Sequence, residues 1–177
     1  SNGKESMVKE CQHLEGVPVM PEDFDGHEIY INCKNGIVNL KTGDLLPHVR
    51  ELMMSKITMC EYDAQHRQPK KWLQFLNDVT NNNQGMIEYI QRSLGYSVTG
   101  SEVEQCMWFL YGMGRNGKST FLDTIADILG DYATSTQAEV FTVQGRGGNS
   151  GSANSSLARL LQSRFCVCEE PEEGKRL

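Results

Sequence analysis

The stretch LYGMGRNGKSTFL, residues 110–122, carries the densest chemistry in the chain. Its Gly112, Gly117, Lys118 and Ser119 satisfy every required position of the pattern Gly-x-x-x-x-Gly-Lys-Ser/Thr. Glycines let successive backbone N–H groups turn inward around phosphate oxygens, where a side chain would stand in the way. A helix that follows such a loop points its positive end at the same anion. Lys118 is then expected to reach the β- and γ-phosphates of a nucleoside triphosphate such as ATP, and the Ser119 hydroxyl to ligate Mg2+. Met113, Gly114, Arg115 and Asn116 fill the loop and Thr120 follows it, so residues 112–120 form the expected nucleotide-binding set. An ordinary glycine-rich turn that happens to hold a lysine is the bland alternative. The full pattern between two apolar runs weighs against it.

A second chemical group lies in RFCVCEEPEEGKRL, residues 164–177. Phe165 to Cys168 is a compact apolar run of strand character, and Glu169-Glu170 follow at its carboxyl end. Ligands of open parallel sheets gather at that end of the strands. An acidic pair placed there has two tasks: one carboxylate orients magnesium and its waters, and the next orients or deprotonates the attacking water. The expectation is therefore Glu169 on the metal, together with Ser119, and Glu170 on the water. Lys118, Glu169 and Glu170 become the candidate catalytic residues. A lone Glu-Glu is more often a solvated charge run. Its place roughly fifty residues after Lys118, with space for a strand in between, favours the chemical reading.

These residues need elements to position them. Cys106–Tyr111 (CMWFLY) reads as a buried strand leading into the loop. Thr120–Leu129 reads as a helix, with Phe121, Leu122, Ile125, Ile128 and Leu129 on one side, Asp123 and Asp127 on the other, and Gly130 as its stop. Upstream, residues 29–47 read as a β-meander. Ile29–Cys33 and Gly36–Leu40 are β-rich, Asn35-Gly36 forms the hairpin between them, and Lys41–Asp44 makes the next turn. A further strand is expected over Ile57–Cys60, then a connector over 61–71. Two helices follow. Trp72, Leu73, Leu76 and Val79 mark the first, ended by Asn81–Asn83; Met86, Ile87, Ile90 and Leu94 mark the second, stopped by Gly95. Their large apolar side chains are expected to be core rather than a site. Beyond the phosphate loop, Glu139–Val143 reads as a strand, 144–154 as a Gly/Ser/Asn-rich loop and 155–161 as a short serine-capped helix. Arg146 in that loop could touch phosphate or DNA, although a solvated arginine is the commoner case.

Bulk properties narrow the class. With 38% hydrophobic and 23% charged residues the composition is that of a folded globular chain. No apolar run approaches the ~20 residues of a membrane span. A formal charge of −6 argues against a freestanding basic nucleic-acid module, while leaving room for a few lysines lining a ring's channel. Six cysteines without C-x-x-C spacing read as reduced thiols in a cytoplasmic setting, and the four scattered histidines give no metal pattern. Ser1-Asn2-Gly3 resembles the remnant of a cleaved tag, and residues 1–7 are left outside the expected fold.

Four stretches together, INCKNGIVNLKTGDLLPH, RSLGYSVTG, LYGMGRNGKSTFLDTIADILGDYA and SSLARLLQSRFCVCEEPEEGKRL, resemble the phage and plasmid primase–helicases of helicase superfamily 3, relatives of the poxvirus primase–helicase. The resemblance runs from about residue 29 to Leu177 and is more specific than the bare phosphate-loop pattern. It carries the family's motif A onto Gly112, Gly114, Asn116, Gly117, Lys118 and Ser119, and motif B onto Glu169 and Glu170. It implies an ATP- and Mg2+-dependent DNA helicase of a phage or mobile element, acting on single-stranded DNA as a ring, usually a hexamer, with no membrane partner. The implied fold is α/β: a partial P-loop NTPase (AAA+-like) parallel sheet with helices, preceded by a small α+β domain of β-meander and helical pair. The corresponding divisions are a β-rich part over 8–66, a helical part over 67–100 and the beginning of the ATPase domain over 101–177. The family's sensor residue and arginine finger would fall after Leu177. These 177 residues are therefore expected to be a fragment that binds nucleotide weakly and neither hydrolyses ATP appreciably nor unwinds DNA alone. Two rivals share the loop. One is a P-loop nucleotide or metabolite kinase, and the other is a nucleotide-binding assembly module without turnover.

Overall fold

The computed structural model describes residues 2–14, 16–65, 68–137 and 160–168. Its first sheet is the expected meander. Strands β1 (Tyr30–Cys33), β2 (Gly36–Asn39) and β3 (Leu45–Leu46) pair antiparallel in that order, with Cys33 opposite Gly36 and Ile37 opposite Leu46. Gly36 has φ 150°, and a Cβ there would run into the Leu46 carbonyl oxygen, so only glycine lets β3 close on the hairpin. The second turn closes through the Gly43 amide on the Asn39 carbonyl at 2.7 Å and the Asn39 amide on Asp44 at 2.9 Å.

The segment after β3 departs from the expected strand at Ile57–Cys60. It is extended but irregular, because its amides serve different neighbours in turn. Those of Ser55 and Lys56 reach the Asp25 carboxylate at 2.9 and 3.1 Å. Thr58 bonds the Asn32 carbonyl at 2.9 Å, and Met59 the Ile128 carbonyl at 3.0 Å. The Ile57 amide bonds the Asp131 carboxylate at 3.2 Å. A strand needs one continuous partner, and this segment has four.

Helix α1 (Asn2–Cys11) stands at the amino-terminal end, beginning within residues 1–7, which the sequence suggested leaving outside the fold, and running into the part expected to be β-rich. Helix α2 (Lys70–Val79) follows Pro69 and carries its apolar stripe with Leu76 fully buried. Helix α3 (Gln84–Val98) is capped by Asn83, whose Oδ1 accepts the Met86 amide at 3.0 Å. It does not stop at Gly95. A glycine inside a helix costs only about 1 kcal/mol, and continuing brings Val98 against the core. The helix ends at Thr99 instead, whose amide and hydroxyl both donate to the Tyr96 carbonyl, at 3.0 and 2.7 Å.

Helix α4 (Lys118–Leu129) begins two residues earlier than periodicity suggested and ends at Gly130 as expected, with φ 56°. A short 3-10 turn, Gly130–Tyr132, leads into β4 (Ala133–Thr136), which pairs in parallel with β5 (Phe165–Cys168), Ala133 facing Phe165 and Thr136 facing Cys168. The chain is thus mixed α/β, with a three-stranded antiparallel sheet and a two-stranded parallel one. Cys106–Tyr111 corrects the sequence expectation. It is irregular and exposed, and among the described residues it joins neither sheet. An apolar pattern says what could be buried, but a strand also needs a backbone edge to pair with. The expected strand over Glu139–Val143 lies outside the described residues, as do the loop at 144–154 and most of the helix expected over 155–161.

One core joins the two sheets. Ile31, Cys33 and Val38 from the meander pack with Leu129 and Tyr132, and Val98, Ile125 and Phe165 close around them. Tyr132 is fully buried. Its hydroxyl accepts the Asn32 amide at 3.1 Å and donates to the Lys56 carbonyl at 3.2 Å, while the Arg164 guanidinium lies 4.8 Å over its ring. Arg164 in turn donates to the carbonyls of Val98, His27 and Tyr30 at 2.9, 2.8 and 2.7 Å, tying α3 and the entry to β1 onto the start of β5. Among the described residues, no helix is long and apolar enough to cross a membrane.

Candidate functional site

The glycine-rich loop runs directly into α4, and its backbone is bent in the way the residue types allow. Gly112, Arg115 and Gly117 have φ of 148°, 63° and 84°. Two are glycines, for which the conformation is free of Cβ strain. Arg115 is the exception. A non-glycine residue in the left-handed region costs on the order of 1 kcal/mol, and such positions concentrate where a ligand is held. A Cβ on Gly112 would meet the Asn116 side-chain nitrogen, and the φ of 148° itself favours glycine there.

Lys118, the first residue of α4, folds back over this loop. Its ammonium donates to the Gly112 carbonyl at 2.9 Å and to Asn116 Oδ1 at 3.1 Å. Asn116, to which sequence reasoning assigned no defined contact, is thereby a partner of the lysine. Residues 112–116 are exposed, while Gly117 and Lys118 are half-buried. The N-cap of α4 is Gly117, which offers no side-chain acceptor to the first-turn amides. Ser119 and Thr120 lie exposed in that turn.

This donor set suits a bound triphosphate. It combines an ammonium folded over the loop, amides at the positive end of a helix and, in the same first turn, an exposed serine. Phosphate oxygens can replace the two neutral oxygens that now hold the ammonium, and a charge-assisted bond is roughly twice as strong as a neutral one.

Behind the loop stands a wall that the sequence did not assign to the site. A Cβ built on Gly117 would lie 2.8 Å from Val79 Cγ1 and 3.1 Å from Phe75 Cε2, so α2 touches the loop backbone. Trp72 stacks on both Phe75 and Phe121, at centroid distances of 5.5 and 5.7 Å. Trp72 and Val79 were legible as part of a helical stripe with Leu73 and Leu76, whereas Phe75 was not singled out. What the stripe packs against was not legible.

Glu169 and Glu170 lie outside the described residues, so their relation to Lys118 is not part of the geometry above. β5 ends at Cys168, immediately before them, and α4 packs against β5. Among the described residues no cluster of His, Cys, Asp or Glu could hold a metal ion. Titration is shifted in the core and the parallel sheet. Burial pushes the Tyr132 hydroxyl and the Cys33 thiol up, and lowers Arg164, against the opposing pull of Tyr132. Burial also raises Cys166, helped by Cys168.

Residues 1–81 match a protein family described as "D5 N terminal like". The chain is also similar to a protein of Acanthamoeba polyphaga mimivirus named as a "putative helicase", with 26% identity over 177 residues. That alignment covers 98% of this chain and 18% of the mimivirus protein, so the chain spans less than a fifth of its relative's length. The two matches support the phage and viral primase–helicase family to which the sequence motifs point.

Proposed function

Starting from that family, we propose that the chain supplies the nucleotide-binding loop of an ATP-dependent DNA helicase of the superfamily 3 primase–helicase type. The observation that carries this reading is the Lys118 ammonium, held inside a glycine-bent loop at the start of α4. On this reading β4 and β5 are part of a P-loop parallel sheet whose carboxyl end faces the nucleotide.

The roles of the residues follow from their chemistry. Backbone amides of residues 112–119 cradle the phosphates, and Lys118 leaves the Gly112 and Asn116 oxygens to neutralise charge on the β- and γ-phosphates. Ser119 and Glu169 would hold Mg2+, which would supply neutralisation of phosphate charge. Glu170 would accept a proton from the attacking water. The partners in the larger protein would be single-stranded DNA and further copies arranged as a ring, usually a hexamer. These last assignments rest on the family resemblance.

The test is equilibrium binding of a fluorescent ATP analogue with magnesium to the wild-type chain and to Lys118→Ala. Losing the ammonium is expected to weaken binding at least about tenfold. Equal binding by the two proteins would remove the basis for the reading. In a longer form of the protein, single-stranded DNA should stimulate ATP hydrolysis, and Lys118→Ala should abolish it.

A further inference from the structure

We infer that Phe75 and Val79 of α2 are positioning residues for the phosphate loop, and that the Phe75–Trp72–Phe121 stack moves when the loop is occupied. This inference rests on the nucleotide-binding reading above and adds to it the device that shapes the loop.

The loop needs such a device. It contains Gly112, Gly114 and Gly117, and glycine-rich backbone loses the most conformational freedom when it is fixed. A site of this kind must hold its donors within about 0.5 Å to act on a ligand. The preceding residues do not provide that support, since Cys106–Tyr111 is irregular and exposed. Support comes from behind. Val79 and Phe75, one helical turn apart on α2, occupy the side of Gly117 where a Cβ would stand, immediately before the lysine.

The stack extends that contact to α4. Trp72 lies between Phe75 and Phe121, with interplanar angles of 27° and 20°. Phe121 sits in the first turn of α4, where its amide bonds the Gly117 carbonyl at 2.9 Å. Gly117 is therefore fixed twice, by α2 from behind and through Phe121 from ahead. Any displacement of Gly117 on phosphate binding must be passed to Phe75 or Phe121, and so to the indole between them. Holding the loop in advance lowers the ordering cost of binding. Positioning, not contact with nucleotide, is the role assigned to these side chains.

The experiment uses the whole chain with Trp108→Phe, which leaves Trp72 as the single tryptophan. Mg2+ and ATPγS are titrated while Trp72 emission is followed, and the ATPγS dissociation constant is measured separately by polarisation, as ATPγS displaces a fluorescent ADP analogue. The expected result is an emission change that saturates at the dissociation constant found by polarisation. Val79→Ala and Phe75→Leu should each weaken binding about tenfold, with helical content unchanged by circular dichroism. Val79→Ile should restore wild-type affinity. Lowered stability with unaltered affinity would mean a purely structural wall and would overturn the inference, as would Trp72 emission indifferent to a nucleotide that polarisation shows to be bound. Absence of any binding by the parent protein would instead overturn the nucleotide-binding reading, and this one with it.

Discussion

Replacing Tyr132 with Phe isolates the hydroxyl that joins the two sheets. The ring stays, and with it the π face under Arg164, 4.8 Å from the guanidinium. What disappears is the acceptor for the Asn32 amide at 3.1 Å and the donor to the Lys56 carbonyl at 3.2 Å. The two losses are unequal. Lys56 keeps the Asn32 side-chain amide as a donor at 3.0 Å. The Asn32 amide points away from β2 into the core and keeps no partner, beside an Asn32 Oδ1 that already has none. One buried, unsatisfied N–H costs about 1–3 kcal/mol. At the middle of that range, a chain of this size loses about 4–8 °C in Tm, at ~2–4 °C per kcal/mol. Thermal and urea unfolding followed by circular dichroism measure it, with an unchanged m value showing that only the native state was altered. A Tyr132→Phe protein within about 0.5 kcal/mol of wild type would refute the claim that this hydroxyl bears weight between the sheets.

Three further outcomes are expected. Tyr132 is held neutral by burial, so its folded-state ionisation lies above the ordinary tyrosine value of 10.0. Its contribution is full below pH 10.0 and declines as pH rises from there through the raised value, so the stability gap to Tyr132→Phe should narrow only in strongly alkaline urea titrations. Gly130→Ala places a Cβ 2.9 Å from the Ile57 carbonyl oxygen at a residue with φ 56°, and should destabilise by about 1–3 kcal/mol in the same urea assay. Cys33, 5% exposed and with its thiol raised by burial, should react with a disulfide reagent only on unfolding, whereas exposed Cys106 reacts at once; peptide mapping after timed labelling distinguishes the two.

Local signals were legible wherever a single residue decides the outcome. Asn35-Gly36 and Gly43 set the two turns of the meander, and Gly130 stopped α4, because each requirement is written in one side chain or its absence. The loop from Gly112 to Ser119 was legible for the same reason. Signals that depend on a partner failed. Cys106–Tyr111 and Ile57–Cys60 both look like strands, yet the first finds no edge among the described residues and the second divides its amides among three neighbours. Gly95 looked like a stop, and the packing of Val98 carried the helix past it. Phe75 and Arg164 went unnoticed, since nothing local announces that one abuts a glycine or that the other donates to three carbonyls.

Among the described residues the approach to the loop pairs with no strand, so an exposed turn must be held from elsewhere to be a defined site. α4 provides that hold from the opposite direction. It has 12 residues, about 18 Å at the standard rise, and both ends are fixed. Lys118 and Phe121 anchor its start to the loop and to the aromatic stack. At its far end Leu129 is buried, and the Met59 amide bonds the Ile128 carbonyl. The Asp131 carboxylate beyond accepts the Ile57 amide at 3.2 Å, and Lys56 donates to the Asp131 carbonyl at 3.3 Å. A helix clamped in this way transmits position along its length, so the meander fixes where Lys118 stands. It follows that damage at the Gly130–Tyr132 corner should loosen the phosphate end although no residue there approaches it. Damage to the exposed run over 106–111 should leave that end in place, because the loop is held from behind and from ahead, not from the side on which the chain arrives.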